Sequence, residues 1–182
     1  MNQSFGQCSL FLHPEQNSSQ NTSSFITALQ NIELISNTIN SQDKHFHVGE
    51  KFLDYVAHMG CAPNIQFKES PNNENFCFIK IHYHDQNQLI VSKIQAKPPQ
   101  CPECKKPIKN WQDKITDTTL FCEHCDTTTN IENINWRKMG GFSNLFIEIT
   151  DIFPKEAIPQ HFLLDKLSKI TQTNWLYFYS CH

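Results

Sequence analysis

Four cysteines in two pairs set the chemistry of this chain: Cys101 and Cys104 in CPECKKP, then Cys122 and Cys125 in LFCEHCD. Their spacing is C-x2-C-x17-C-x2-C, the pattern of a four-thiolate zinc site. Two residues between cysteines make a tight knuckle that aims both sulfurs at one ion, and the longer spacer folds back as a hairpin to the same point. The competing chemistries are thiol redox exchange and a disulfide framework, the latter open to a chain with eight cysteines. The N-terminal MNQSFGQCSLFLHPEQNSSQ has neither a basic start nor a long apolar run, so it does not read as a secretory leader. The expectation is a reducing, cytoplasmic setting, where paired cysteines hold metal more often than they bridge. Four cysteines leave no coordination position for water, so one structural Zn2+ is expected rather than a catalytic one. The binding energy of such a site, about 10 to 16 kcal/mol, is folding energy for its segment.

Nine histidines raise a second chemistry, and two doublets, His45 with His47 and His82 with His84, are spaced by two. On a strand such residues share a face, so His82 and His84 could grip one ion with the help of a third ligand. The plainer reading makes them polar residues on the solvent side of a strand whose other side, Cys77, Ile79, Ile81 and Tyr83, is buried. The segment puts no carboxylate on the same face of the strand to complete a facial triad. His124, inside the second knuckle, is expected to be exposed and not a ligand. Cys8, Cys61, Cys77 and Cys181 are expected as thiols, Cys77 acting as a small buried hydrophobe. Cys61 follows a helix C-terminus, where the helix dipole disfavours a thiolate nucleophile. The sequence has no glycine-rich phosphate loop, GxSxG elbow or HExxH, so it assigns no catalytic residue and no organic cofactor.

Charge discriminates among partners. Between Cys101 and Cys125 four lysines (105, 106, 109 and 114) balance Glu103, Asp113, Asp117 and Glu123. Four thiolates and a zinc dication then leave the loaded segment mildly anionic. Phosphate neutralisation supplies most of the affinity of a nucleic-acid binder, and the whole chain carries a formal charge of −3 with Arg137 as its one arginine. A protein partner is therefore the leading reading, and the alternatives are nucleic-acid association or a metal-handling accessory or enzyme that uses His82 and His84. Trp111, Phe121 and Trp136 could stack bases, but packing a thin core is the simpler use of them.

Residues 101–125, with Pro102 after the first cysteine and Phe121 before the third, resemble the zinc ribbons of transcription, translation and metallochaperone proteins. A ribbon interrupting a small α/β body also resembles the nickel-delivery chaperones of hydrogenase maturation. Those carry a histidine directly after the initiating methionine as a nickel ligand, and this chain has Asn2 there. The resemblance thus implies a shared plan without the nickel ligand.

The elements that must position these residues follow from pattern. CSLFLH, residues 8–13, reads as a strand, and the polar stretch 14–24 as a loop. Ser24 can cap a helix whose apolar stripe is Phe25, Leu29, Ile32, Ile35 and Ile39, facing the core or, alternatively, docking on a partner. A second helix over 50–59 would place Phe52, Tyr55, Val56 and Met59 on one face, ending at Gly60 before Pro63. NIQFKE reads as a strand, and residues 76–95 as a hairpin turning at DQNQ. Pro98 and Pro99 lead into the zinc segment, and Gly140 and Gly141 loosen its exit. LFIEITDIF, ended by Pro154, is a strand. IPQHFLLDKLSKITQ is a helix with Pro159 in its first turn and Leu163, Leu167 and Ile170 on one face. NWLYFY is the closing strand, completing a split or direct βαβ unit.

The expected architecture is α+β: a mostly antiparallel sheet with helices on one face. Residues 1–97 and 140–182 together make one domain, and residues 98–139 an inserted four-cysteine zinc ribbon projecting from a sheet edge. No apolar run approaches the roughly 20 residues needed to span a bilayer, so no membrane association is expected.

Overall fold

The computed structural model of the 182-residue chain describes residues 8–59, 65–69, 76–94, 97–152 and 156–182. It shows an α+β fold built on a curled, six-stranded antiparallel sheet. The strands are β1 (Cys8–Pro14), β2 (Ile35–Asn40), β3 (His45–Val48), β5 (Ile79–Val91), β8 (Gly140–Ile149) and β10 (Trp175–Cys181), in the order β10-β1-β8-β5-β3-β2. Alternation decides the faces. Leu10 and Leu12, Ile79 and Ile81, and Leu145, Ile147 and Ile149 point to one side. There they bury α1 (Thr22–Asn31), α2 (Phe52–Tyr55) and α3 (His161–Thr171) through Phe25, Leu29, Phe52, Tyr55, Leu163 and Leu167. The helices thus share one face, as the patterning predicts. β8 and β10 are each antiparallel to β1, which lies between them, so β8, α3 and β10 make the split form of the βαβ unit.

Several elements differ from expectation for physical reasons. α1 is capped by Asn21, whose side chain accepts from the Ser23 N–H at 2.8 Å, and not by Ser24. It stops at Asn31 because Glu33 turns left-handed, at φ 60°. The Leu34 N–H then bonds to Leu29 O and the Glu33 N–H to Gln30 O, the paired bonds of a Schellman terminus. Ile35 and Ile39, which continue the helical stripe in sequence, belong to β2. The polar stretch 14–24 is trimmed at both ends, Pro14 closing β1 and Thr22–Ser24 opening α1.

The second helix is the single turn of α2. It gives way to β4 (Val56–His58), which pairs antiparallel with β9 (Ala157–Pro159). Pro159 therefore closes a strand instead of opening α3. Residues 65–69 form no strand, and the positions of Gly60, Cys61, Pro63 and Pro154 lie outside the described residues.

The expected hairpin over 76–95 is one strand, β5. Its pairing with β8 runs from Ile79↔Ile149 to Tyr83↔Leu145 and resumes at Gln88↔Ser143. Residues 84–87 bulge opposite Asn144 alone. A two-residue hairpin turn needs residues at positive φ, and none occurs among residues 84–88. Asn144 is occupied elsewhere, accepting from the Ser18 N–H at 3.3 Å and donating to Ser18 O at 3.2 Å.

Gly140 and Gly141 are not a flexible exit but the first residues of β8, opposite Val91 and Ile90. The sheet's other face carries a small aromatic cluster, Phe11, Phe146 and Phe178, with Phe11 and Phe178 stacked at 5.1 Å. A Cβ at Gly141 would fall 2.6 Å from Phe178 Cε1 and 2.7 Å from His13 Nε2. The glycine is required by close approach.

Cys8 and Cys181, expected as thiols, are joined as a disulfide between directly opposed residues of β1 and β10. Cys77 is a buried free thiol, its pKa pushed up to about 12 by burial. Among the described residues no helix is long and apolar enough to cross a membrane.

Candidate metal centre

Residues 97–139 lie in the connection between β5 and β8, the two central strands of the sheet. The four cysteines thus sit beyond the middle of the sheet and not at its edge. Within this segment β6 (Thr119–Cys122) and β7 (Thr127–Asn130) form a hairpin registered from Thr119↔Asn130 to Cys122↔Thr127. Its turn is the second knuckle. The first knuckle is closed by backbone bonds between Cys101 and its neighbours, Cys101 N–H to Lys106 O and Lys105 N–H to Cys101 O. In both knuckles the residue after the second cysteine is left-handed, Lys105 at φ 60° and Asp126 at φ 54°. That bend swings each pair's sulfurs to the same side.

The segment has its own core of Ile108, Leu120, Ile131, Ile134 and Trp136 around Cys101 and Cys122. Leu89 and Val91 of β5 and Phe142 of β8 pack against it, which seats it on the ends of the central strands. Trp136 is buried, donates its indole N–H to Ile131 O at 3.3 Å and meets Trp111 edge-to-face at 5.2 Å. Of the three aromatic residues noted in the sequence, Phe121 is the exposed one, at 40 %.

The Sγ atoms of Cys101, Cys104, Cys122 and Cys125 all lie within 4.8 Å of one another. Cys101 and Cys125 are 3.7 Å apart, and Cys104 and Cys122 are 3.8 Å apart. A tetrahedron with zinc–sulfur bonds of about 2.3 Å has sulfurs about 3.8 Å apart. The donor set therefore fits a tetrahedral, thiophilic ion. Cys101 and Cys122 are buried and the other two half-buried. Thr127 Oγ1 lies 3.0 Å from Cys125 Sγ and 4.0 Å from Cys101 Sγ, so its hydroxyl can donate to thiolate.

The electrostatics are uneven. Burial pushes the Cys101 thiol up, but backbone N–H groups of Cys104 and Glu103 and the neighbouring sulfurs outweigh it and hold its pKa at about 6. Burial and the same neighbours drive Cys122 up to about 12, against the help of the His124 N–H. Four crowded sulfurs cannot all ionise without a cation among them.

The histidines do something else. His82 Nε2 lies 2.8 Å from Glu148 Oε2, and Glu148 Oε1 accepts from Ser9 Oγ at 2.8 Å and from Lys80 Nζ at 3.4 Å. The His82 and His84 rings are stacked 6.4 Å apart. Among the described residues only the four cysteines form a group of three or more metal-ligating side chains within reach of one ion. Burial lowers the pKa of both His45 and His84. Glu148 and Ser9 carry no sequence signal, since Glu148 reaches His82 from β8 and Ser9 reaches Glu148 from β1, both distant segments of chain. Thr127 is legible in hindsight, two residues beyond the last cysteine on a strand that returns to Cys122.

The fold and site define a protein with an α+β body and a candidate four-cysteine metal centre. No protein-family model, no curated protein and no solved structure matches the chain.

Proposed function

We propose that Cys101, Cys104, Cys122 and Cys125 hold one structural zinc ion. Residues 98–139 are then a zinc ribbon inserted into a single body formed by residues 1–97 and 140–182, and the protein is a non-enzymatic, cytoplasmic interaction factor. The observation that carries the metal reading is the pair of sulfur separations, 3.7 and 3.8 Å, which match the edges of a tetrahedral zinc–thiolate cage. Four protein ligands close the coordination sphere and favour a structural role over a catalytic one.

A protein partner suits the ribbon better than nucleic acid. Lys114 is paired with Glu123 at 2.7 Å, and the Lys105 amine is turned onto Pro102 O. Four acids balance the four lysines between Cys101 and Cys125, so the segment offers no net cationic surface for phosphate. What it does offer is a compact tip with Phe121 outward on β6, the kind of aromatic anchor that protein interfaces use.

Native mass spectrometry of protein purified without added metal tests the metal reading. One zinc per chain is the expected result, lost in both Cys104→Ser and Cys122→Ser with local unfolding of 98–139. Stoichiometric zinc retained in either variant would overturn it. An electrophoretic shift on mixed DNA and RNA at micromolar protein would favour the nucleic-acid alternative over the protein partner.

A further inference from the structure

We propose that Cys8 and Cys181 are a redox modification site whose state sets how firmly both stems of the metal segment are held. The disulfide joins opposed residues at the ends of β1 and β10, and the backbone around Cys181 holds the stem that leaves β5. Cys181 O accepts from the Lys93 N–H at 3.0 Å and the Ile94 N–H at 3.2 Å. The Cys181 N–H donates to Ser92 Oγ at 2.9 Å. The other stem is tied to the same strand: the Tyr179 N–H donates to Lys138 O at 3.0 Å, and Lys138 Nζ donates to the Tyr177 hydroxyl at 2.6 Å. Ser92 closes the loop by donating its N–H to Met139 O at 2.9 Å. The end of β10 is thus a common anchor for residues 92–94 and 138–139, and the disulfide pins that end to the sheet.

The bond opens by thiol–disulfide exchange with a small thiol of the glutathione class. A thiolate attacks one sulfur of the pair, breaking the S–S bond and forming a mixed disulfide. A second thiolate then releases the remaining cysteine. Two small thiols become one disulfide, and their two electrons and two protons end on Cys8 and Cys181. In the open state β10 keeps its ladder to β1 but loses the covalent stop at its end. Fraying there reaches Ser92 and both stems directly. In a reducing compartment the pair is open at rest, and oxidation tightens the seat of the metal segment.

Two readouts test this. Thiol titration and mass measurement of the purified, air-oxidised protein should show Cys8 and Cys181 linked; two free thiols there would overturn the proposal at once. Hydrogen exchange is then compared between the oxidised chain, Cys8→Ser/Cys181→Ser, and Ser92→Ala, which cuts the link while keeping the disulfide. Both variants should exchange faster than the oxidised chain at residues 92–94 and 138–139, by about ten-fold, with the β1–β8 ladder unchanged. Equal exchange at the stems in all three would sink the idea. This arm does not depend on zinc, so it separates the clasp from the metal reading. Where zinc is bound, its transfer to a chromogenic chelator should also be faster in both variants.

Discussion

Thr127 Oγ1 lies 3.0 Å from Cys125 Sγ, on the strand whose first residue pairs with Cys122. A hydroxyl donated to a metal-bound thiolate spreads its charge and fixes its direction. Groups in that position are typically worth 10- to 100-fold in affinity. Thr127→Val keeps the shape and removes the donor. The expected result is about a ten-fold loss of zinc affinity, read by chelator competition, with an unchanged far-ultraviolet spectrum.

Gly141 is fixed by its neighbours. The space a methyl would take is held by Phe178 and His13, both buried, so neither can step aside cheaply. Gly141→Ala should destabilise the fold by about 1 to 3 kcal/mol, measured by denaturant unfolding. An unchanged midpoint would contradict the close approach.

At the end of α1, Glu33 occupies the left-handed position at φ 60°, where an L side chain is disfavoured by about 1 to 2 kcal/mol. Its ion pair with Lys51 is exposed and contributes little. Glu33→Gly should therefore raise stability by about 1 kcal/mol, seen as a higher thermal midpoint.

Glu148 gives the acid limb of the stability curve. Burial pushes its carboxyl up, but His82, Lys80 and Ser9 together outweigh burial and hold it below its ordinary value. The unfolded chain therefore takes up this proton first as pH falls. The stabilisation is full above the unfolded value of about 4.3 and is lost as pH drops through the lower folded value. Glu148→Gln should flatten the acid limb below about pH 4.3 and lower stability at neutral pH by about 1 to 3 kcal/mol.

What the sequence made legible was local. The cysteine pairs lie within 25 positions, so their knuckles and spacer are written in one stretch of chain, and β1, α3 and β10 each follow from short runs of patterned residues. The misread elements turned on competition between periods. Ile35 and Ile39 keep a helical spacing with Ile32, yet a left-handed Glu33 converts them to strand, where Ile35 is 2 % exposed and Ile39 40 %. DQNQ has turn-forming composition, but nothing in it reveals that Asn144 would accept four residues as a bulge. The His82–Glu148 pair and the Cys8–Cys181 bond were out of reach for a different reason. Partners 66 and 173 positions apart meet only through strand order, which no local pattern encodes.

β1 sits between β8 and β10, so both of its neighbours come from the last quarter of the chain. During synthesis the first strand emerges with nothing to pair with, and most of the sheet is translated before its slot exists. The four-cysteine segment is the opposite case, local enough to bring its sulfurs together as soon as it leaves the ribosome. Its stems would then hold β5 and β8 side by side, and a long search for the central pairing becomes a short one. On that order of events the first strand is the last piece placed, completing the sheet once β10 has arrived.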